Sequence, residues 1–145
     1  MSGHGAPIGM SMVRRVEDVY RPGIRTVGAD EGMDEVARHL QDDDIGALLV
    51  VDGERVAGII TERDLVRASC DCPDLTACTA ADYVTQDPAT VGLETDLHQA
   101  AAQMVELGVR HLPVVEGSEV VGMVSARDVL ELTAIEGARP EQEGS

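Results

Sequence analysis

A near-exact internal repeat, offset by 64 residues and running without a gap, limits this chain more than any other feature. Gly58-Ile59-Ile60-Thr61-Glu62-Arg63-Asp64 returns as Gly122-Met123-Val124-Ser125-Ala126-Arg127-Asp128, and Val50-Val51-Asp52-Gly53 returns as Val114-Val115-Glu116-Gly117. Thr26-Val27-Gly28 returns as Thr90-Val91-Gly92, and the apolar stripe Met33, Val36, Ala37, Leu40 returns as Leu97, Ala100, Ala101, Met104. One offset shared by a helix stripe, a turn and a polar motif implies two copies of one supersecondary unit. Such units usually bury their open faces against each other. Pairing them also creates a pseudo-twofold cleft, where a ligand is expected.

Each copy reads as β-α-β-β-α. A short helical turn (Val16–Tyr20; Ala80–Val84) leads to an extended piece ending at Thr26-Val27 or Thr90-Val91. An amphipathic helix follows over about 33–43 and 96–107, with apolar residues at i, i+3, i+4 and i+7. Asp30 and Glu94 stand just ahead of these helices, where negative charge suits the positive helix end. Apolar runs Gly46–Asp52 and Arg55–Thr61 flank Gly53-Glu54, while Arg110–Glu116 and Glu119–Ser125 flank Gly117-Ser118. Two apolar runs around a two-residue turn containing Gly predict a β-hairpin. A second helix runs from Thr61 or Ser125 to about 68 or 135. The expected organisation is a flexible N-terminus at 1–12, repeat one at 13–68, a linker at 69–79 broken by Pro73, repeat two at 80–136 and a flexible tail at 137–145.

Composition narrows the function classes. The chain of 145 residues has no Phe or Trp and two Tyr, so its core must be built from Val, Ile, Leu, Ala and Met. Aromatic stacking platforms for single-stranded nucleic acid are disfavoured on that ground. Asp and Glu number 27 against 11 basic residues, all Arg, a formal net charge of −16. No cationic footprint for nucleic acid exists, and an anionic membrane would repel this surface. Acidity spread over both halves suggests adaptation to high salt, where a Debye length of roughly 3 Å removes self-repulsion. An ordinary acidic bacterial protein is the alternative. No stretch approaches the ~20 apolar residues needed to span a bilayer. Residues 1–12 lack a signal-peptide apolar region, so a cytoplasmic location is expected.

The pattern Gly-apolar-apolar-Thr/Ser-x-Arg-Asp falls at a strand-to-helix junction. Thr or Ser followed three residues later by an acid resembles a helix capping box. The same groups can also serve a nucleotide. A carboxylate can accept both hydroxyls of a ribose cis-diol, and a hydroxyl, an Arg and the free N–H groups of a helix start can hold phosphate. Ile59 and Met123 stand two residues before the motif's hydroxyl and could form an apolar wall against a base.

With these motifs the chain resembles the CBS domain family, named after cystathionine β-synthase. The resemblance rests on the β-α-β-β-α unit, on Gly-x-x-Thr/Ser-x-x-Asp at the end of its third strand, and on Asp44-Ile45-Gly46-Ala47-Leu48 and Gly108-Val109-Arg110-His111-Leu112-Pro113-Val114-Val115. It covers about residues 13–134. It implies an α/β fold of two pseudo-symmetric CBS repeats packed through their sheets, and regulatory binding of an adenosyl ligand (AMP, ADP or ATP) between the repeats, in energy or stress sensing. Matched residue by residue, it implies one site from Ile59, Thr61, Arg63 and Asp64 with Thr79, Val84 and Val109. The other would use Met123, Ser125, Arg127 and Asp128 with Tyr20 and Ile45. The position matching Thr79 is Arg15, a departure that bears on whether both sites take the same ligand equally well. The resemblance further implies a homodimer through the long helices, where Ala37, Ala100 and Ala101 would permit close approach. No catalytic domain accompanies the pair, so output is expected to pass to a partner protein in trans or to another copy, and no catalytic residues are expected.

The remaining constellations are weaker. Cys70, Cys72 and Cys78 lie in the expected linker, and an odd number of Cys in a cytosolic chain argues against a structural disulfide. Their spacing, with no His nearby in sequence, does not match a zinc site. His111 either reaches a phosphate or lies on a polar strand face. Asp42-Asp43-Asp44 is expected to be a solvated helix end. The alternatives to nucleotide sensing are a structural dimerisation module without ligand and a thiol-based metal or redox sensor.

Overall fold

The computed structural model describes residues 14–43 and 45–137. The expected flexible ends therefore lie outside the described residues, apart from Gly137, which closes the last helix. Asp44 of the triple-Asp run lies outside them too; Asp42 is exposed.

The repeat in sequence returns as a repeat in structure. A 3-10 turn at Val16–Asp18 precedes β1 (Arg21–Pro22), β2 (Thr26–Gly28), α1 (Met33–Asp43), β3 (Ala47–Asp52), β4 (Arg55–Thr61) and α2 (Glu62–Asp71). A second 3-10 turn at Leu75–Ala77 leads into α3 (Ala80–Tyr83), β5 (Val91–Gly92), α4 (Leu97–Leu107), β6 (His111–Glu116), β7 (Glu119–Ser125) and α5 (Ala126–Gly137). Both hairpins are antiparallel, with register shifts at Val50/Val51 and at the matching Val114/Val115. The second helix of the first repeat continues past the expected end near 68 to Asp71, so Cys70 is helical rather than part of a linker.

The chain forms two compact units, and they do not follow the repeats. A continuous unit holds Ile24–Pro88, and a two-segment unit joins the described residues up to Gly23 with those from Ala89 onward. The opening segment of each repeat has been exchanged into the unit built on the other repeat's hairpin. In the two-segment unit, β1 pairs antiparallel with β7, matching Arg21 to Met123 and Pro22 to Gly122, within the sheet order β1-β7-β6-β5. In the continuous unit, the sheet is β2-β3-β4, and a single antiparallel bridge from Ile59 to Thr85 takes the place of that edge strand.

The motif glycines explain why the exchange fits. A Cβ on Gly122 would overlap the Arg21 carbonyl oxygen and the Tyr20 ring, and one on Gly58 would overlap the Thr85 carbonyl oxygen. Gly58 also has φ +154, which side chains rarely adopt. Only a residue without a side chain lets the incoming main chain lie this close.

Each unit has its own apolar core, and the cores use the same repeat positions. Val27, Met33, Val36, Leu40, Leu48, Val50 and Ile60 fill the continuous unit. Val91, Leu97, Ala100, Met104, Leu112, Val114 and Val124 fill the other. The exchange extends into the cores: Val16 joins the second set and Ala80 the first. Full burial of a medium aliphatic side chain contributes about 1.5–3 kcal/mol, so aliphatic residues suffice without Phe or Trp. Ala100 is fully buried within its own unit, which removes it from any helix face open to a partner; Ala37 and Ala101 are half-buried.

Candidate functional site

Each hairpin ends where its following helix begins, and that junction carries the motif. Thr61 closes β4 and Ser125 closes β7, so a hydroxyl and the first free N–H groups of α2 or α5 meet at one point. Three residues on, Asp64 and Asp128 turn back onto the junction. Each is about 5% exposed, and they are the two buried polar side chains among the described residues, in a chain of 27 acids.

Both aspartates act in capping. Thr61 and Asp64 form a capping box, and the Thr61 N–H and hydroxyl both donate to Asp64 Oδ2, at 2.9 and 3.2 Å. In the second copy the Ser125 N–H donates to Asp128 Oδ2 at 3.1 Å, and the Asp128 N–H donates to Ser125 Oγ at 3.1 Å. The other carboxylate oxygen is held by an arginine in each case. Arg67, one turn further along α2, donates to Asp64 Oδ1 at 3.1 Å. Arg21, from the exchanged segment, donates to Asp128 Oδ1 at 3.2 Å across 107 residues of sequence. Neither arginine was singled out from the sequence. The repeat offset holds the signal: Arg67 matches Glu131 and Arg21 matches Thr85, so the two copies recruit their arginine from different places.

Among the expected site residues, the continuous unit brings together Ile59, Thr61, Arg63, Asp64, Thr79 and Val84. Ile59 is buried, its main chain paired with Thr85 in both directions at 2.9 and 3.0 Å, so it presents no open apolar wall. Arg63 is exposed and makes no ion pair among the described residues. Thr79 caps α3, its N–H donating to Asp82 Oδ2 at 2.9 Å. The two-segment unit brings together Tyr20, Met123, Ser125, Arg127, Asp128 and His111. Tyr20 and Met123 are half-buried, and His111 stands opposite Ser125 in the hairpin register, where the other unit has Ala47 opposite Thr61. Arg127 is tied to Glu131 at 3.2 Å, with both side chains exposed. Val109 and Ile45 each lie in the unit opposite to the motif with which the sequence grouped them.

The cysteines correct an expectation. Cys72 and Cys78 are joined by a disulfide, with Cα atoms 6.6 Å apart, while Cys70 is free and exposed. The odd count of three misled because it says nothing about whether two of the thiols meet. No group of three or more His, Cys, Asp or Glu suited to a metal ion exists among the described residues. No helix among them is long and apolar enough to cross a membrane.

Comparison with known proteins settles the family. The family model for the CBS domain matches residues 16–71 and again 80–134. The chain belongs to the CBS domain family. It is a CBS-domain pair, a regulatory module of mixed α/β architecture. It is 31% identical over 133 residues to inosine-5′-monophosphate dehydrogenase of Korarchaeum cryptofilum, a match covering 91% of this chain and 27% of the enzyme. The chain thus spans about a quarter of that relative. Among solved structures, a putative signal-transduction protein with CBS domains from Burkholderia ambifaria is 30% identical, with a TM-score of 0.75 over 81% of this chain and 87% of that one. The CBS domain pair of protein MJ0100, solved in complex with 5′-methylthioadenosine and S-adenosyl-L-methionine, shares the fold at 24% identity, with a TM-score of 0.77 over 86% and 98% of the two chains.

Proposed function

We propose that this CBS-domain pair binds an adenine nucleotide (AMP, ADP or ATP) and serves as an energy or stress sensor whose output passes to a partner protein or to another copy. One observation carries the reading: in a chain so rich in exposed acids, the two buried ones among the described residues stand at repeat-related strand-to-helix junctions. Burying a carboxylate is costly unless it is paired, and two acceptor oxygens beside a helix start suit a ribose diol with its phosphate. Asp64 and Asp128 would take the diols, and Thr61 or Ser125 with Arg63 or Arg127 the phosphates. Exposed pairs such as Arg127–Glu131 contribute only about 0–1 kcal/mol, so a phosphate can displace Glu131. The adenosyl compounds bound by the MJ0100 pair support the ligand class.

Calorimetric titration with AMP, ADP, ATP and adenosine tests it. Arg127→Ala should weaken ATP more than adenosine. Affinity should hold or rise from low to molar KCl, because salt screens long-range repulsion from this acidic chain more than it screens close contacts. Absence of heat or thermal shift with every nucleotide overturns the proposal.

The capping hydrogen bonds favour a second reading, a dimerisation module in which the aspartates only cap helices. In that case Asp64→Asn and Asp128→Asn change melting temperature with no ligand to lose. Either reading includes a homodimer through the long helices α1 and α4, supported by exposed Val105 and Leu107 on α4. Light scattering in high salt should give about twice 15.4 kDa.

A further inference from the structure

The Cys72–Cys78 disulfide has a counterpart that shows what it is for. Shifted by the repeat offset, Cys72 becomes Glu136 and Cys78 becomes Arg14, and those two form an ion pair at 2.8 Å. Each unit therefore fastens the far end of the helix that follows its hairpin to the segment leading into the exchanged opening turn. One tie is made of opposite charges. The other is a covalent bond that two electrons can open.

The covalent tie is connected at both ends to the candidate site of the continuous unit. Cys72 Sγ lies 3.4 Å from the Tyr83 hydroxyl, which donates to Asp71 Oδ2 at 3.2 Å. The Arg67 guanidinium sits over the Tyr83 ring, 5.5 Å from its centroid, and the same guanidinium holds Asp64 Oδ1. At the other end, Cys78 is buried in the core, its carbonyl accepts the Met33 N–H at 2.9 Å, and Thr79 follows directly. The path from disulfide to the buried carboxylate thus runs Cys72, Tyr83, Arg67, Asp64, each in contact with the next.

We propose that Cys72–Cys78 is a redox control on the nucleotide site of the continuous unit, opened by a dithiol reductant, while the site of the two-segment unit does not respond. The proposal rests on the nucleotide reading above. A reductant thiolate attacks one sulfur of the pair, forming a mixed disulfide and expelling the other as thiolate, which takes up a proton. The second reductant thiol then displaces the remaining protein sulfur, so two protein thiols form as the dithiol becomes a disulfide. Access directs attack to half-buried Cys72 rather than buried Cys78. With the tie closed, the last turn of α2 and the Cys78-Thr79 segment are held in place, so the ligand does not have to order them. Opening it should weaken nucleotide binding at this site roughly three- to tenfold, the effect of freeing one or two side chains.

The test uses the full chain as wild type, as Cys70→Ser, and as Cys72→Ser with Cys78→Ser, each before and after dithiothreitol. Thiol counting in denaturant should find one free thiol in oxidised wild type and three after reduction, with none and two in Cys70→Ser. Calorimetry with ATP should show one class of site weakened on reduction, and the double serine variant already weak and indifferent to dithiothreitol. Three free thiols in the air-oxidised protein, or equal ATP affinity in both redox states, overturns the proposal. If ATP binds in neither state, the nucleotide reading has failed, and the control of that site falls with it. Ultraviolet titration of Tyr83 separates the two failures: a tyrosine titration that moves on reduction shows the tie reaching Arg67 and Tyr83 without a nucleotide site, and one that stays put sinks the coupling itself.

Discussion

The continuous unit and the two-segment unit share most core positions and the same cap bond to their aspartate, yet draw its other polar partners from different places. Asp64 is held by Arg67 from its own helix, and Asp128 by Arg21 from the opposite end of the chain. Thr61 faces Ala47 across its hairpin, while Ser125 faces His111. One unit is tied by a disulfide and the other by an ion pair. A core position has only to be filled by an apolar side chain, so the two copies share positions even where the residue changes, as Val36 against Ala100. Polar contacts at the junction need only a donor or a charge within reach, and several backbone positions can supply one. Equal ligand affinity at the two sites is therefore not expected.

The largest effect should come from the motif glycines. Gly58→Ala combines overlap with the Thr85 carbonyl and an unfavourable φ, for about 2–5 kcal/mol of lost stability. Gly122→Ala suffers the overlap without the positive φ and should cost about 1–3 kcal/mol. Urea unfolding of the two variants checks the order; equal losses would mean that the backbone angle at Gly58 carries no cost.

Next are the buried acids. Asp64→Ala and Asp128→Ala should each weaken nucleotide binding at their own site by about 1.5–3 kcal/mol, the range for hydrogen bonds to charged groups. Circular-dichroism melts beside calorimetry separate this from capping: a fall in melting temperature with unchanged affinity assigns the acids to the helix alone.

The two ties should differ more modestly. A disulfide closing so short a loop, six residues apart, is worth about 2 kcal/mol in the chain-entropy account. The Arg14–Glu136 pair, partly exposed, should be worth about 1 kcal/mol or less, and less still in molar salt. Comparing Cys72→Ser with Cys78→Ser against Glu136→Gln in low and high KCl tests both halves, and a salt-dependent loss in the cysteine variant would break the distinction.

The smallest effect is confined to one unit. Burial, followed by the hydrogen bond to Asp71 and its charge, raises the Tyr83 phenol above the ordinary 10.0, while Arg67 opposes the shift. A folded-state value raised above the unfolded one contributes stability that is intact below pH 10 and lost as pH rises through the folded value. Val19 occupies the matching position in the other unit and cannot titrate. Absorbance titration should place Tyr83 above 10, and Asp71→Asn should bring it back toward that value.

Much of the molecule was legible in the sequence. Hairpins, long helices and core positions follow from local periodicity, and their observed bounds fall within a few residues of those expected. The junction motif was legible for the same reason, since a capping pattern spans only four residues. The linker was read less well. Its first residues are helical, because nothing between Asp64 and Asp71 breaks a helix before Pro73.

By itself the sequence determined the repeat, its β-α-β-β-α order, the aliphatic cores and the place of the two acids, because all of these depend on residues close along the chain or on one constant offset. The tertiary structure decided how the exchanged opening segments fit against the hairpins, the choice of Arg21 as partner of Asp128, and the pairing of Cys72 with Cys78; the family resemblance had already grouped Thr79 and Val84 with Asp64, and Tyr20 with Asp128. The first two join main chain or charges far apart in sequence. The third depends on where the end of α2 meets the entry to α3. Contacts of that kind are set by which surfaces fit once the cores have formed. Asp64–Arg67 differs, because i,i+3 on one helix is a spacing that the local sequence carries.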